Sequence, residues 1–544
     1  MTSSDVEPDR NRANASGSDV SGKSVVNSSV SVGGLTLVSR VFGLVRDVVF
    51  ANFIGAGPAA DAFFVAFKIP NFFRRLFAEG AFNQAFVPVL SDYKQNYSQD
   101  KVRYLVARVA GTLATIIFGF VLLVLLAPQV LSIPFALGYF FGQEPDDPLK
   151  YAYVTDMLRL TFPYLLLISL TALSGAVLNT YDRFAVPAMT PVFLNICLIL
   201  AAFFIAPQMS VPAYGLAWGV LAAGAVQLAF QLPALRRIHM LSMPKWGWSD
   251  PGVKRILTLM LPAMFGVSVS QINLLLDTLL AVFLPTGSVS WLYYSDRLSE
   301  LPLGVFGIAI ATVILPNLSK QHFSNSIERF SAVLDWALRM VLLIGLPAAV
   351  ALLLLAKPIL ATLFFYGDFS AKDLSMSALS LQAYGVGLLG FMLIKVLAPA
   401  YFAREDMKTP VRIAVTAMLV NMGLNVIFVL WLHSQYRIGH VGLAAATTMS
   451  AFLNAYLLLR GLSRTKVYVA QPKWAAFTVR LVFALGLMAI VVVSLLSFWT
   501  GWIDWSIWDR AWRLTFICLF GAASYFLALF VGGMRLRDIR PRDC

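Results

Sequence analysis

The sequence predicts an all-α polytopic membrane protein: 14 transmembrane helices, two six-helix lobes in a pseudo-two-fold arrangement, plus two C-terminal helices. Three observations predict it. Of 544 residues, 59% are hydrophobic and 13% charged, with a mean hydropathy of +0.75; no water-facing surface can be assembled from such a composition. The apolar residues gather into 14 segments able to cross ~30 Å of hydrocarbon at ~1.5 Å per helical residue. Basic residues gather in alternate connections between those segments.

Residues 1–30, rich in Ser, Asn, Asp and Gly with no periodic apolar face, are expected to form a disordered cytoplasmic tail. They lack the basic start, short apolar core and cleavage site of a signal peptide. The N-lobe, 31–237, holds six segments at roughly 32–56, 61–91, 102–127, 153–180, 186–206 and 212–235. The C-lobe, 250–462, holds six more at roughly 254–284, 288–318, 329–356, 375–402, 409–432 and 439–461. Residues 472–535 carry the last two, near 474–500 and 511–534, and 536–544 form a cytoplasmic C-terminal tail. Apolar stretches after Pro128 and Pro358 are too short to span alone and are expected to extend the third and ninth helices along the outer surface. Gly55-Ala56-Gly57-Pro58 and the glycines between 385 and 390 lack a P-loop lysine and its strand–helix setting, and read as turns and close packing.

A weak repeat at an offset near 230 defines the two lobes. Phe86-Val87-Pro88 through Ser91 closes the second segment, as Ile314-Leu315-Pro316 through Ser319 closes the eighth. Ala127-Pro128-Gln129-Val130-Leu131 is echoed by Lys357-Pro358-Ile359-Leu360, and Tyr181-Asp182-Arg183 before Pro187 by Ala403-Arg404-Glu405-Asp406 before Pro410. The copies share one orientation, a known transporter plan. Even-numbered connections carry Lys94, Lys101 and Arg103, then Arg236, Arg237 and Lys245, then Arg404, Lys408 and Arg412, while the odd ones are nearly free of positive charge. Both termini are therefore expected in the cytoplasm. The net charge of +14 needs no nucleic acid, because anionic lipid headgroups face those loops.

Cys197, Cys518 and Cys544 are isolated thiols, and four scattered histidines make no metal-ligand spacing, so neither a disulfide framework nor a metal centre is expected. The chemistry lies in charges at membrane depth, which are costly and usually face a bundle interior or a hydrated path. Most are basic, which points to a cavity for an anionic substrate. On the first segment Arg40 and Asp47 share a face, and Arg46 lies about 120° round from Arg40; one arginine is expected to line the cavity and the other to brace a neighbour or a gate, with Asp47 as counter-ion. The second segment carries Lys68-Ile69-Pro70-Asn71 and then Arg74-Arg75. Pro70 removes a helical hydrogen bond, Asn71 can cap the freed turn, and paired arginine forks suit pyrophosphate. Glu79 could offset one of these charges, and Asp61 could cap the start of its own helix. On the eighth segment Arg297 is the third candidate for pyrophosphate, with Asp296 and Glu300 as supporting ion-pair or gate residues. Asp277, alone in the seventh segment, is a candidate for ion coupling, and no nearby stretch gathers further oxygen ligands around it. Lys395 is solitary in the tenth.

The runs Ser39-Arg40-Val41-Phe42-Gly43-Leu44-Val45-Arg46-Asp47, Asp61 through Asn71, and Arg74 through Phe82 closely resemble the MurJ (MviN) family, bacterial lipid II flippases of the MOP exporter superfamily; Tyr294, Asp296-Arg297 and Lys408-Thr409-Pro410 also fit. The resemblance covers residues 31 to about 540. It implies an inner-membrane transporter that is not an enzyme and moves undecaprenyl-pyrophosphoryl-MurNAc-pentapeptide-GlcNAc outward by alternating access. It implies that Arg40, Arg46, Arg74 and Arg297 are the essential arginines, that Asp61 is functionally important, and that the last two helices form a groove for the lipid tail. Lipid II and membrane lipids are the implied partners, with peptidoglycan-synthesis proteins as candidates and the monomer as the working unit. No cofactor is implied; membrane potential, protons and Na+ are the candidate energy sources. The nearest alternative is a flippase for another polyprenyl-linked oligosaccharide such as O-antigen. A multidrug antiporter would favour an acidic cavity, and a lipid-pyrophosphate enzyme would need clustered acid and base groups at one interface.

Overall fold

A computed structural model describes residues 13–76, 81–141, 144–307, 318 and 327–535. Among these every long regular element is helical. The first half contains α1 (Ala13–Ile54), α2 (Pro58–Phe73), α3 (Ala81–Asn96), α4 (Gln99–Leu126), α5 (Gln129–Phe135), α6 (Leu137–Phe141), α7 (Asp147–Thr161), α8 (Tyr164–Thr180), α9 (Ala185–Phe204) and α10 (Pro212–Arg237). The second contains α11 (Pro251–Ala281), α12 (Ser288–Pro302), α13 (Ile327–Leu363), α14 (Ala371–Phe402), α15 (Lys408–Tyr436) and α16 (Gly439–Arg464), followed by α17 (Trp474–Phe498) and α18 (Ile507–Val531). Ten spans among the described residues are long and apolar enough to cross a membrane. The expected first, second, seventh and eighth segments are helical as well, at α1, α2–α3, α11 and α12, and these are the charge-bearing ones.

The packing repeats as the sequence does. In the first half α1 packs on α9, α2 on α7, and α10 on both α8 and α9; in the second, α11 packs on α15, α12 on α14, and α16 on both α14 and α15. The last pair, α17 and α18, pack on each other and on α13. Buried polar ties hold that pair: Tyr525 OH donates to Leu343 O at 2.7 Å, and Arg510 donates to the carbonyls of Ala361 and Phe365 at the end of α13. The start of α11 belongs to the other half, since Val253 and Ile256 are buried with Phe86, Leu105 and Val177 in a core built from α3, α4 and α8.

Several boundaries differ from the sequence reading. Among the described residues the first helix is Ala13–Ile54, so residues 13–30 are continuous with it instead of forming a structureless tail; once the buried turns near Phe50 are fixed, each added residue gains a backbone hydrogen bond for one more ordered unit. Residues after Pro128 form the separate short helices α5 and α6, whereas α13 runs unbroken through Pro358. The second segment stays helical through Pro70 and widens into a π turn at residues 74–76. Thr161 Oγ1 donates to Ala66 O at 3.3 Å, satisfying the carbonyl that Pro70 cannot serve. Asn71 Nδ2 donates to Phe67 O at 3.1 Å, one residue along.

Candidate functional site

The charged residues of α1, α2 and α12 meet where the two halves touch. Arg46 and Asp47 are both buried, at 5% and 2% exposure. Arg46 Nη2 lies 2.7 Å and Nε 3.0 Å from Asp47 Oδ1. Its Nη1 donates to Asn195 Oδ1 on α9 at 3.0 Å, and Nη2 donates to the Tyr293 hydroxyl on α12 at 3.1 Å. That hydroxyl donates onward to Asp47 Oδ1 at 2.7 Å, while Asn195 Nδ2 donates to Ser39 O at 3.0 Å. Phe64 stacks on the Tyr293 ring at 3.9 Å. A buried charge pair is tolerable only when its remaining donors and acceptors are satisfied, and this network supplies those partners from both halves. Arg46 is therefore the brace. Asp47 is its counter-ion, paired with Arg46 rather than with Arg40.

Arg297 sits one helical turn beyond Tyr293 with its side chain 34% exposed. Its Nη1 donates to Glu300 Oε2 at 3.1 Å, its Nε lies 3.8 Å from Asp47 Oδ2, and the guanidinium covers the Tyr293 ring at 5.2 Å. It is thus accessible and held by two carboxylates at its edges. Arg40 packs partly buried against Gly304, where any Cβ would overlap its guanidinium. Arg74 Nε donates to Asn71 Oδ1 at 3.1 Å. On α2 the residues from Ala60 to Phe67 are all buried, yet Lys68 is exposed, as is Arg75 in the π turn that follows. Lys68 lies within coulombic range of Asp277, Asp296, Arg75 and Arg297. An exposed lysine near Arg75 of its own segment and three charges from the seventh and eighth segments marks a water-accessible space between the halves, lined mainly by cations. Asp296 lies within coulombic range of Glu300, Arg297 and Lys68. Glu79 lies outside the described residues.

Asp61 caps a helix, but not its own. Oδ2 accepts from Gly287 N at 2.7 Å, and Oδ1 accepts from Ser290 N at 2.9 Å and Ser290 Oγ at 2.6 Å. These are the exposed donors at the start of α12, so a buried carboxylate from one half closes the helix N-terminus of the other. Tyr294 OH donates to Gly55 O at 2.9 Å nearby, and Lys150 joins Asp147 at 2.7 Å and Thr286 at 3.2 Å. All of these lie on the side away from the basic loops, which is therefore shut. On the basic side, Asp92 at the end of α3 accepts from Arg255 of α11 at 2.6 Å, and that contact holds the Asp92 carboxyl below its ordinary value.

Asp277 gathers the oxygen-bearing neighbours that the local sequence does not supply. Asn425 Nδ2 donates to Oδ1 at 2.7 Å, Asn421 Nδ2 reaches Oδ1 at 3.4 Å and Asn273 Oδ1 at 3.0 Å, and Thr447 Oγ1 donates to Oδ2 at 3.3 Å. The amide oxygens of Asn421 and Asn425 are buried without a hydrogen-bond partner. Rotating an amide exchanges its NH2 and carbonyl oxygen. The cluster can thus turn carbonyl oxygens toward the carboxylate, a donor set that suits a hard monovalent cation. A cavity of about 280 Å³ lined by Asn273, Phe391, Thr447 and Ser450 adjoins it. Among the described residues no group of three His, Cys, Asp or Glu side chains could hold a metal. Asp277 and Asn425 stand 230 positions after Asp47 and Asn195, so the two clusters occupy equivalent places in the repeat. That offset is the signal by which the sequence could have paired Asn195 with the first helix and Asn425 with the seventh. Tyr293 and Thr447 carried no comparable mark.

Comparison with known proteins agrees with this architecture. The family model described as lipid II flippase MurJ matches residues 50–510. A protein named probable lipid II flippase MurJ from Vibrio cholerae serotype O1 is 50% identical over 520 residues, covering 95% of this chain and 98% of its own. A solved lipid II flippase MurJ in an inward closed conformation superposes with a TM-score of 0.75 at 26% identity, covering 93% of this chain and 98% of that one. An inward-facing multidrug resistance MATE transporter of the MOP superfamily shares the fold, with a TM-score of 0.64 at 14% identity over 80% of this chain and 98% of its own. By the extent of the family match and the identity of a full-length relative, the chain belongs to the MurJ family of lipid II flippases.

Proposed function

We propose that this protein moves lipid II from the cytoplasmic to the periplasmic leaflet of the bacterial inner membrane by alternating access, making and breaking no covalent bond. Family membership favours this substrate over another polyprenyl-linked oligosaccharide. The observation that carries the mechanism is Arg297, accessible between the halves and held by Glu300 at 3.1 Å and, at the limit of ion pairing, by Asp47 at 3.8 Å. A pyrophosphate offers a better fork-shaped acceptor than either contact and takes the guanidinium from them. Arg40, Arg74 and Arg75 complete a cationic lining for the headgroup, with Lys68 among them, while the polyprenyl tail stays in lipid. Arg46 positions the lining and does not itself reach substrate. Asp61 acts as an outer latch: its oxygens are engaged by α12, and outward release requires those bonds to break. Both termini lie in the cytoplasm, and one chain supplies both halves of the cavity, so the monomer is the transporting unit.

The Asp277 cluster supports Na+ as the coupling ion. Its carboxylate, the rotatable amides of Asn421 and Asn425, and Thr447 would hold the ion between α11, α15 and α16, and its charge would draw those helices together. The substrate assignment is tested in cells whose only flippase is this protein, by following labelled lipid II exposed on the outer leaflet. Arg297→Ala is expected to abolish exposure at normal protein abundance, and Arg297→Lys to restore it only in part. Undiminished lipid II exposure in the Ala variant, or loss of a different lipid-linked sugar on depletion, would overturn the assignment.

A further inference from the structure

We propose that the connection between the two halves carries a binding site for the phosphate headgroup of an anionic phospholipid in the cytoplasmic leaflet, formed by Arg103, Arg236 and His239. The site is a cavity of about 290 Å³ lined by these three residues and Leu241. Arg103 stands one turn into α4 and Arg236 in the last turn of α10, so both lie where candidate membrane spans meet the basic face. Among the described residues neither arginine has a carboxylate within ion-pair distance; Arg103 Nη2 instead donates to Leu241 O at 3.3 Å, which holds the rim in place. His239 is set into the cavity wall by a left-handed backbone, φ 58°, just after α10 ends. Two guanidiniums and an imidazole around one hollow, with no carboxylate to neutralise them among the described residues, make a receptor for phosphate oxygens.

The surroundings select a lipid as the source of that phosphate. The connection runs along α4, pinned by Lys245 N to Ala107 O at 2.9 Å and Gly247 N to Thr112 Oγ1 at 3.1 Å. From this strap Met243 projects 81% exposed, and Trp246 and Trp248 stack in parallel at 6.0 Å while remaining about half exposed. Exposed tryptophans beside basic residues are the composition of a membrane–water interface, where rings sit at headgroup depth. The fixed strap therefore carries an apolar edge for acyl chains onward from Leu241, which itself lines the cationic hollow for the phosphate. Because the strap joins α10 to α11, a bound lipid would anchor the covalent link between the two moving halves.

The test uses the full chain in detergent, where the readout is its thermal midpoint and lipid retained through purification, neither of which involves lipid II. Phosphatidylglycerol is expected to raise the midpoint saturably, and phosphatidylcholine is not. Arg103→Gln with Arg236→Gln should weaken phosphatidylglycerol binding about thirtyfold, from the loss of two hydrogen bonds to the phosphate at about 1 kcal/mol each. The control pair Arg464→Gln with Lys466→Gln, exposed in another basic connection and not among the residues that line the cavity, should leave it within about threefold, because screened charges outside the site contribute little. Equal losses in both pairs would reduce the site to diffuse surface charge. Equal binding of phosphatidylcholine would remove the role of headgroup charge. Saturation by inorganic phosphate or glycerol 1-phosphate, displacing the lipid at equal concentration, would make it a free-anion site. Any of these three results overturns the proposal.

Discussion

Removing the outer latch should shift the conformational equilibrium by a predictable amount. In Asp61→Ala the two amides and one hydroxyl that the carboxylate now holds, Gly287 N, Ser290 N and Ser290 Oγ, lose their partner only in the shut state. When the halves part on this side, water solvates the same groups. Three hydrogen bonds at about 1 kcal/mol net each give ~3 kcal/mol, a shift of roughly a hundredfold toward opening. Ser288 provides the probe: it is 1% exposed and its hydroxyl has no hydrogen-bond partner, so Ser288→Cys removes nothing. With Cys197, Cys518 and Cys544 replaced by Ser, the labelling rate of this thiol by an impermeant reagent added from outside reports the open fraction, provided opening is faster than labelling. Asp61→Ala should raise the rate about a hundredfold, and Asp61→Asn, which keeps one acceptor oxygen, by less. Lipid II transport should fall in both, because the shut state that loads substrate is depopulated. An unchanged labelling rate in correctly folded Asp61→Ala protein would refute the latch.

Three further outcomes follow from the same geometry. Arg46→Lys keeps the charge but cannot serve Asp47, Asn195 and Tyr293 together, so the thermal midpoint should fall by the equivalent of about 1–3 kcal/mol, with lipid II exposure reduced alongside it. Na+ should raise the thermal midpoint of the full chain over K+ at equal ionic strength, and Asp277→Asn should abolish that difference; an effect that survives the substitution would place the ion elsewhere. The Asp92–Arg255 contact depresses the Asp92 carboxyl below its ordinary 3.8, so its stabilisation is complete above that value and is lost as pH falls through the depressed one. Asp92→Asn should therefore change stability by a constant amount between about pH 5 and 9, and a difference that varied across that range would point to another titrating group.

Much of the fold was legible because membranes impose a strong local rule. A segment either can or cannot bury its length in hydrocarbon, and alternate basic connections fix how successive segments run. The charge-bearing helices could also be recognised, because Arg40, Arg46, Arg74 and Arg297 have no place on a lipid-facing surface. The breaks inside segments were harder to see. Pro70 pointed to a freed turn at its own position, yet Thr161 from α7 serves the orphaned carbonyl and the helix widens only at residues 74–76. Pro358 left α13 unbroken. At Pro70 the outcome depended on what a neighbouring helix offered, which no local pattern records.

The sequence by itself determined a helical membrane protein with a doubled plan and arginines at depth, since hydropathy, charge placement and repeat offset are properties of short stretches read in order. Only the tertiary structure decided what each charge does. Arg46 became a brace because Asn195, 149 positions away, and Tyr293, 247 away, close around it. Asp61 became a latch because the start of α12, 226 positions away, presents its free amides there. Asp277 became a candidate ion site because Asn425, 148 positions away, stands beside it. Membrane depth penalises an unsatisfied charge wherever it sits, so the chain could announce that partners were needed; which partners arrived was settled by how the helices packed.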